Sequence, residues 1–286
     1  MTVRNDQATP PMATSGALPF EGPVTSDADG TAGTPGAPAD VAVRLTGVSK
    51  AYGTGPSALL ALDDVSLSVG DGEFVCIIGA SGCGKSTLLN LVAGLDKPTS
   101  GQIDTGGRRV GLMFQEPALF PWLTTERNVE LALRARGVPK AERRAKTAEL
   151  LDTVRLSGFG SKRPHELSGG MRQRVAMARA LGQDADVLLM DEPFGALDAM
   201  TRDLLHEELE RICRERTLSV LFVTHNVREA VRLGDRVVVL SSRPGRVLEE
   251  FAVAIPRPRR IDTAPVAELA GQITDRLREE MSRHGQ

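Results

Sequence analysis

The sequence predicts an α/β fold with a mostly parallel sheet, and three observations carry that expectation. Strand-sized apolar runs alternate with helix-period segments over residues 41–255. One run, Phe74-Val-Cys-Ile-Ile78, is apolar throughout, the mark of a strand buried on both faces. It leads through a glycine-rich loop into a helix. A second run, Val187-Leu-Leu-Met190, is equally apolar and ends in two acids, Asp191 and Glu192.

The elements follow in order. Residues 1–40 contain 26 Ala, Gly, Pro, Ser or Thr and carry a net charge of −4, so a disordered tail is expected there. Val41 to Leu45 and Leu62 to Val69 alternate like strands. Ser86 to Ala93 reads as a helix with Gly94 at its stop. Residues 126–157 read as helical, with charge on one side and leucines at 131, 133, 150, 151 and 156. Arg202 to Arg216 is amphipathic, with Leu205, Leu209 and Ile212 on one face. Leu218 to Val223 and Arg236 to Leu240 are further strands, and Ala264 to Arg283 is a last helix. The domain reading is therefore a tail at 1–40, one domain at 41–255 and a helical extension at 256–286.

Composition narrows the function classes. The 286 residues are 41% hydrophobic and 25% charged, enough for a sizeable core. With 35 Lys+Arg against 37 Asp+Glu the net charge is −2, which makes no electrostatic case for nucleic acid as a partner. Cysteines at 76, 83 and 213 form neither a disulfide framework nor a zinc spacing, and a reducing compartment is expected. No apolar run approaches the roughly 18 residues of a membrane span, and no basic-then-apolar leader opens the chain. A cytoplasmic protein is expected, one that reaches a membrane only through a partner.

The glycine-rich loop is specific. Gly79-Ala80-Ser81-Gly82-Cys83-Gly84-Lys85-Ser86-Thr87 fits G-x-x-x-x-G-K-[ST] between a buried strand and a helix. Its glycines let the backbone approach phosphate and turn N–H groups inward, and the helix start adds a positive dipole end. Lys85 reaches the β- and γ-phosphates, Ser86 offers a hydroxyl to Mg²⁺, and Thr87 serves the α-phosphate. Cys83 fills a variable slot. Asp191 and Glu192, at a parallel strand's carboxyl end, complete the site: Asp191 holds Mg²⁺ and Glu192 orients or deprotonates the attacking water.

Leu167-Ser168-Gly169-Gly170-Met171 precedes these acids by about twenty residues. Ser168 is a good N-cap, and the glycines allow close backbone approach to an anion at a helix start. Here the sequence resembles the ATP-binding-cassette ATPases, whose signature is an LSGGQ-like loop. The resemblance covers about residues 41 to 255. It implies a P-loop NTPase core of the RecA-like kind, with an antiparallel β subdomain and an α-helical signature subdomain at about 116–170. It implies a head-to-tail dimer, each ATP lying between one copy's P-loop and the other copy's Ser168, Gly169 and Gly170. Position by position it implies that Tyr52 stacks on adenine and that Gln115 contacts Mg²⁺ and water. It places Asp198 of Gly195-Ala-Leu-Asp198 on the loop crossing the dimer interface. It makes His225 the switch histidine near the γ-phosphate, while His165, His206 and His284 are expected at the surface. Met171 and Asn226 depart from the family's glutamine and aspartate, and neither removes a catalytic charge.

A single cassette without spans resembles the energising subunit of a bacterial importer, on the cytoplasmic face of the membrane. Such a subunit works with a permease and, indirectly, a solute-binding protein. Phe120-Pro-Trp122-Leu-Thr124, Leu240-Ser-Ser-Arg-Pro-Gly-Arg246 and Pro256-Arg-Pro-Arg259 look like the nitrate, sulfonate, taurine and bicarbonate branch. Aliphatic sulfonate is the first expectation for the solute, and nitrate the second. Trp122 has two readings, a contact for the permease's coupling helix or a buried packing residue. Cassettes that act on ribosomes or DNA carry second cassettes, zinc modules or coiled-coil inserts, and none is visible. A P-loop kinase or GTPase would not need the signature loop, and a non-hydrolysing module would lack Glu192 or His225.

Overall fold

The computed structural model describes residues 41–195 and 197–284. The tail expected at 1–40 and Ala196 of the interface loop lie outside the described residues, as does the side chain of His284. The elements begin with strands β1 (Val41–Tyr52), β2 (Leu59–Gly70) and β3 (Phe74–Ile78), then helix α1 (Lys85–Val92) and strands β4 (Ser100–Asp104) and β5 (Val110–Met113). Three helices follow, α2 (Thr125–Ala135), α3 (Lys140–Thr153) and α4 (Gly169–Leu181), and then β6 (Val187–Asp191). The chain continues through α5 (Ala199–Arg216), β7 (Ser219–Val223), α6 (Val227–Leu233), β8 (Arg236–Leu240), β9 (Val247–Ala252) and α7 (Ala264–His284).

The main sheet runs β5-β6-β7-β3-β8-β9. Its first five strands are parallel, and β9 closes the edge antiparallel to β8. Every residue of β3, β6 and β7 is buried, as the unbroken apolar runs require. A smaller antiparallel sheet, β2-β1-β4, packs its apolar face with α1 and one face of the main sheet. The opposite face of the main sheet buries a second core with α2, α4, α5, α6 and α7. This is a P-loop NTPase core with an antiparallel β subdomain and a helical subdomain.

Register decides where the loops meet. Val223 of β7 pairs with Ile77 of β3 on one side and with Asp191 of β6 on the other. The segments after Ile78, Asp191 and Val223 therefore leave one edge at one level, the carboxyl edge where parallel sheets bind ligands.

Helix starts are chemically marked. Thr124, Ser168, Asp198 and Asn226 each accept a backbone N–H from three residues on. Asn226 thus performs the capping that an aspartate would, so the departure at that position leaves the turn intact. The single helical stretch expected over 126–157 is in fact two helices. Gly137, at φ +75°, and Pro139 break it, because glycine alone takes that backbone cheaply and proline cannot continue a helix. β4, β5 and β9 were not expected; β4 and β9 are short edge strands with no fully buried residue and no clear alternation.

Candidate active site

The loop after β3 wraps back upon Lys85. The Lys85 ammonium donates to the carbonyls of Gly79 (2.9 Å) and Ala80 (3.0 Å) and lies 3.9 Å from the Cys83 sulfur. Gly82 and Gly84 sit at φ +76° and +102°, backbone that an L side chain rarely adopts. A Cβ on Gly84 would lie 2.7 Å from Leu62 Cδ2 and 2.8 Å from the Ala61 carbonyl, so space as well as φ demands glycine. Cys83 is buried, and burial lifts its thiol above the ordinary range against the opposing pull of Lys85. That is the environment of a tolerated small residue, not of a reactive thiolate.

Tyr52, Leu59, Ala61, Ser81, Gly82, Gly84, Lys85, Ser86, Thr87, Gln115, Asp191, Glu192 and Arg243 line one open cleft of about 340 Å³. The antiparallel sheet contributes Tyr52 at the end of β1, half-exposed, with the Lys50 ammonium 5.0 Å over its ring. Asp191 is buried beside Ser86, whose hydroxyl donates to it. Desolvation raises its carboxyl, and the Ser86 hydrogen bond opposes that shift.

Glu192 occupies a strained position. Its φ is +43°, uncommon for any residue with a Cβ, and its N–H is tied to the Val223 carbonyl at 2.9 Å. The turn aims its carboxylate at two partners. His225 Nδ1 lies 3.1 Å and Gln115 Nε2 3.4 Å from the same oxygen, Oε2. Three segments distant in sequence thus meet on one carboxylate.

Ser168, Gly169, Gly170 and Asp198 are not brought to this cleft. Ser168 caps α4 through Met171 N (3.2 Å), and Asp198 caps α5 through Thr201 N (2.9 Å). The two starts adjoin: a Cβ on Gly170 would meet Leu197 Cδ2 at 3.0 Å. Met171 packs, partly buried, against the helical core.

Several contributors were not legible in the sequence. Gln173, buried on α4, donates to the Gln115 carbonyl (3.4 Å), and Arg179 holds the carbonyls of Pro117 and Ala118. The signature helix therefore fixes the segment that carries Gln115. Arg257 and Arg259 of the Pro-Arg-Pro-Arg stretch serve as fasteners. Arg257 bonds Glu210, Asp235 and the Leu233 carbonyl, and the buried Arg259 bonds the carbonyls of Val231, Gly234, Val253 and Ile255.

His206 corrects an expectation. It is fully buried, not a surface residue, with Nε2 2.8 Å from Glu229 and its ring edge-on to Phe194. Glu229 in turn accepts from the Thr224 hydroxyl, beside His225. An amphipathic reading of α5 puts His206 next to the buried Leu205, so helical period alone did not reveal it. His165 is exposed, as expected. Trp122 is 67% exposed with its ring 5.4 Å from that of Phe120, which excludes the buried-packing reading.

The donor set suits a small hard cation. Ser86, Asp191 and the Gln115 amide offer oxygens on one cleft, too few for an all-protein cage, and that is how Mg²⁺ is held with substrate phosphates and water.

A strand, a glycine loop with an inward lysine, a helix, and a neighbouring strand ending in carboxylates define a P-loop nucleoside triphosphatase. Comparison with known proteins gives the family. The ABC transporter domain model matches residues 62–195. The chain is 46% identical over 232 residues to the aliphatic sulfonates import ATP-binding protein of Bacillus licheniformis, covering 78% of this chain and 89% of that one. It is also 46% identical over 221 residues to the nitrate import ATP-binding protein of a Synechocystis strain, covering 75% and 83%. A dimeric ATP-binding cassette, solved in a post-hydrolysis state with ADP and phosphate, matches with a TM-score of 0.69 at 35% identity, over 75% of this chain and all of that one. The chain belongs to the ABC transporter family, as an ATP-binding, ATP-hydrolysing cassette. No helix among the described residues is long and apolar enough to cross a membrane.

Proposed function

We propose that the chain powers a bacterial importer of aliphatic sulfonates, working as a head-to-tail dimer beneath a permease fed by a solute-binding protein. The observation that carries the catalytic half is the Glu192 carboxylate, shared by His225 and Gln115 at the edge of the P-loop cleft. Lys85 and the inward N–H groups of residues 79–87 bind the phosphates, and Tyr52 stacks on adenine. Ser86, Asp191 and Gln115 would hold Mg²⁺, which would supply neutralisation of the phosphate charge. Gln115 and Glu192 orient the attacking water, and Glu192 Oε2 takes its proton. His225 fixes that carboxylate and faces the γ-phosphate.

The dimer is supported by what the cleft lacks. Ser168, Gly169, Gly170 and Asp198 form an adjoining pair of capped helix starts outside their own chain's cleft. A second copy turned head to tail would bring them to the ATP. ATP closes that dimer, and closure acts on the permease by its differential affinity for the two permease states. The exposed Phe120–Trp122 pair on the helical subdomain suits the permease contact. These contacts would hold the chain peripherally at the cytoplasmic face.

The solute rests on the branch. Relatives named for sulfonate and for nitrate import are equally identical to this chain at 46%, and the sulfonate one is matched over slightly more of its length. Nitrate, taurine or bicarbonate would leave the role unchanged. Tagged Glu192→Gln, captured from native membranes with ATP and Mg²⁺, should bring down a multi-span permease. ATP turnover by the wild-type complex with its binding protein should then rise with alkanesulfonate and not with nitrate. Capture of ribosomal or DNA-repair proteins without a permease would overturn the transport reading, and stimulation by nitrate alone would replace the solute.

A further inference from the structure

The Ser241–Arg246 turn after β8 is accounted for by none of the roles assigned above. It lies against the phosphate loop at several points. Arg243 reaches over the loop's crest and donates Nε (3.1 Å) and Nη2 (3.0 Å) to the Gly82 carbonyl. It also lines the nucleotide cleft, together with Lys85, Ser86 and Tyr52. Gly245 passes so close beneath the loop that a Cβ there would stand 2.2 Å from the Cys83 carbonyl oxygen.

The turn itself is firmly mounted. Gly245 exchanges backbone hydrogen bonds with Ala61 and Asp63 of β2, both 2.9 Å. Arg246 pairs with the Asp63 carboxylate. The Ser241 hydroxyl donates to the Pro244 carbonyl at 2.7 Å, and the Ser242 N–H donates to Glu280 of α7 at 3.2 Å. Arg243 is therefore a guanidinium on a braced support, with its fork aimed at one peptide of a loop rich in glycine.

The peptide geometry gives that contact a consequence. Across a trans peptide the carbonyl of Gly82 and the N–H of Cys83 point in opposite directions. Drawing the carbonyl out to Arg243 turns the N–H inward, where the Ala80 carbonyl receives it at 3.3 Å. The inward face is the one that meets phosphate. The loop is also held by Lys85 on the Gly79 and Ala80 carbonyls. A phosphate that drew the ammonium away would remove those two anchors, and the Arg243 pair would be what still holds the loop.

We propose that Arg243 is a positioning residue of the nucleotide site, holding the Gly82 peptide so that the loop is preorganised for phosphate. This rests on the reading of residues 79–87 as the phosphate cradle. Two N–H bonds from a fixed fork restrict a glycine-rich segment that would otherwise lose its freedom on binding. The contact is made to a loop carbonyl that points away from the phosphate-binding face, so it should serve binding more than the chemical step.

Steady-state MgATP hydrolysis and thermal melting of the full chain test this with Arg243→Ala, Arg243→Gln and Lys85→Ala. Arg243→Ala should raise KM for ATP about tenfold with kcat within about twofold, the pattern of lost binding common to ground and transition states. Arg243→Gln keeps a neutral N–H donor for Gly82 and should hold KM within about threefold of wild type. A purely structural role would lower the melting temperature and the active fraction, and would leave KM alone. A wild-type KM in a folded Arg243→Ala, with Lys85→Ala inactive, overturns the Arg243 assignment and leaves the cradle standing. An Arg243→Gln KM as high as that of the alanine variant overturns positioning through Gly82 in favour of a direct charge contact with nucleotide. Should the alanine variant not fold, Arg243→Met, which fills the space of the stem but has no N–H donor, takes its place: it should show the same rise in KM, and a wild-type KM in it overturns the assignment. Full turnover in Lys85→Ala would remove the cradle and this inference together.

Discussion

Glu192 shows how much one residue's backbone can decide. Its φ of +43° would cost little as glycine, yet the carboxylate must stand here, between His225 and Gln115. The N–H bond to Val223 helps to hold that conformation. The three thiols make the opposite case, side chains that burial has silenced. Burial pushes Cys76 well above its ordinary value, lifts Cys83, and pushes Cys213 up to about 12. A raised thiol stays protonated, and so non-nucleophilic, at pH 8. Native chain should therefore react with a thiol-specific disulfide reagent at pH 8 more than about a hundredfold slower than chain in guanidinium. A thiol that reacts at the denatured rate in the native protein would reopen a redox role for Cys83. At this scale Lys85, Ser86, Asp191 and Glu192 were legible because their spacing is dictated by phosphate chemistry. Arg243 and Gln173 were not, because each acts on a carbonyl 161 or 58 residues away and no local pattern announces such a bond.

Helix α5 and the start of α6 are joined by a buried polar chain from His206 through Glu229 to Thr224. Both His206 and Glu229 are almost wholly withdrawn from water. Removing one partner strands the other, which costs more than the bond itself is worth. His206→Leu should lose about 3 kcal/mol of stability in urea denaturation, and His206→Gln, which keeps a donor for Glu229, should recover most of it. A leucine variant as stable as wild type would show that Glu229 finds another partner. This polar chain ends at Thr224, beside His225, so the helix that begins at Ala199 and the histidine loop are mechanically continuous. The elements themselves were largely legible, because buried parallel strands are unbroken apolar runs and the helices keep apolar residues at helical spacing. The break at Gly137–Pro139 was hidden by leucines that keep helical spacing on both sides of it. β4 and β9 were hidden because edge strands with no fully buried residue have no hydrophobic pattern to show.

In the whole molecule, the strand order β6-β7-β3 brings the acids, the histidine and the phosphate loop to one edge. That convergence is non-local: the acids were legible from the phosphate-loop motif and the apolar strand before them, whereas the histidine became legible only once the signature loop had joined that motif. The signature itself, Ser168 to Gly170, stays away from that edge within one chain. On the proposed reading these residues meet the phosphates of a second copy. The most direct measurement is the solution mass of full-length Glu192→Gln, by light scattering on a sizing column with and without ATP and Mg²⁺. Without nucleotide the mass should be that of the 30.6 kDa chain. With ATP, binding proceeds while proton removal from water does not, and the mass should double. A variant that binds ATP with wild-type affinity and remains at the single-chain mass would contradict the account, because Ser168, Gly169 and Gly170 would then have no phosphate to meet.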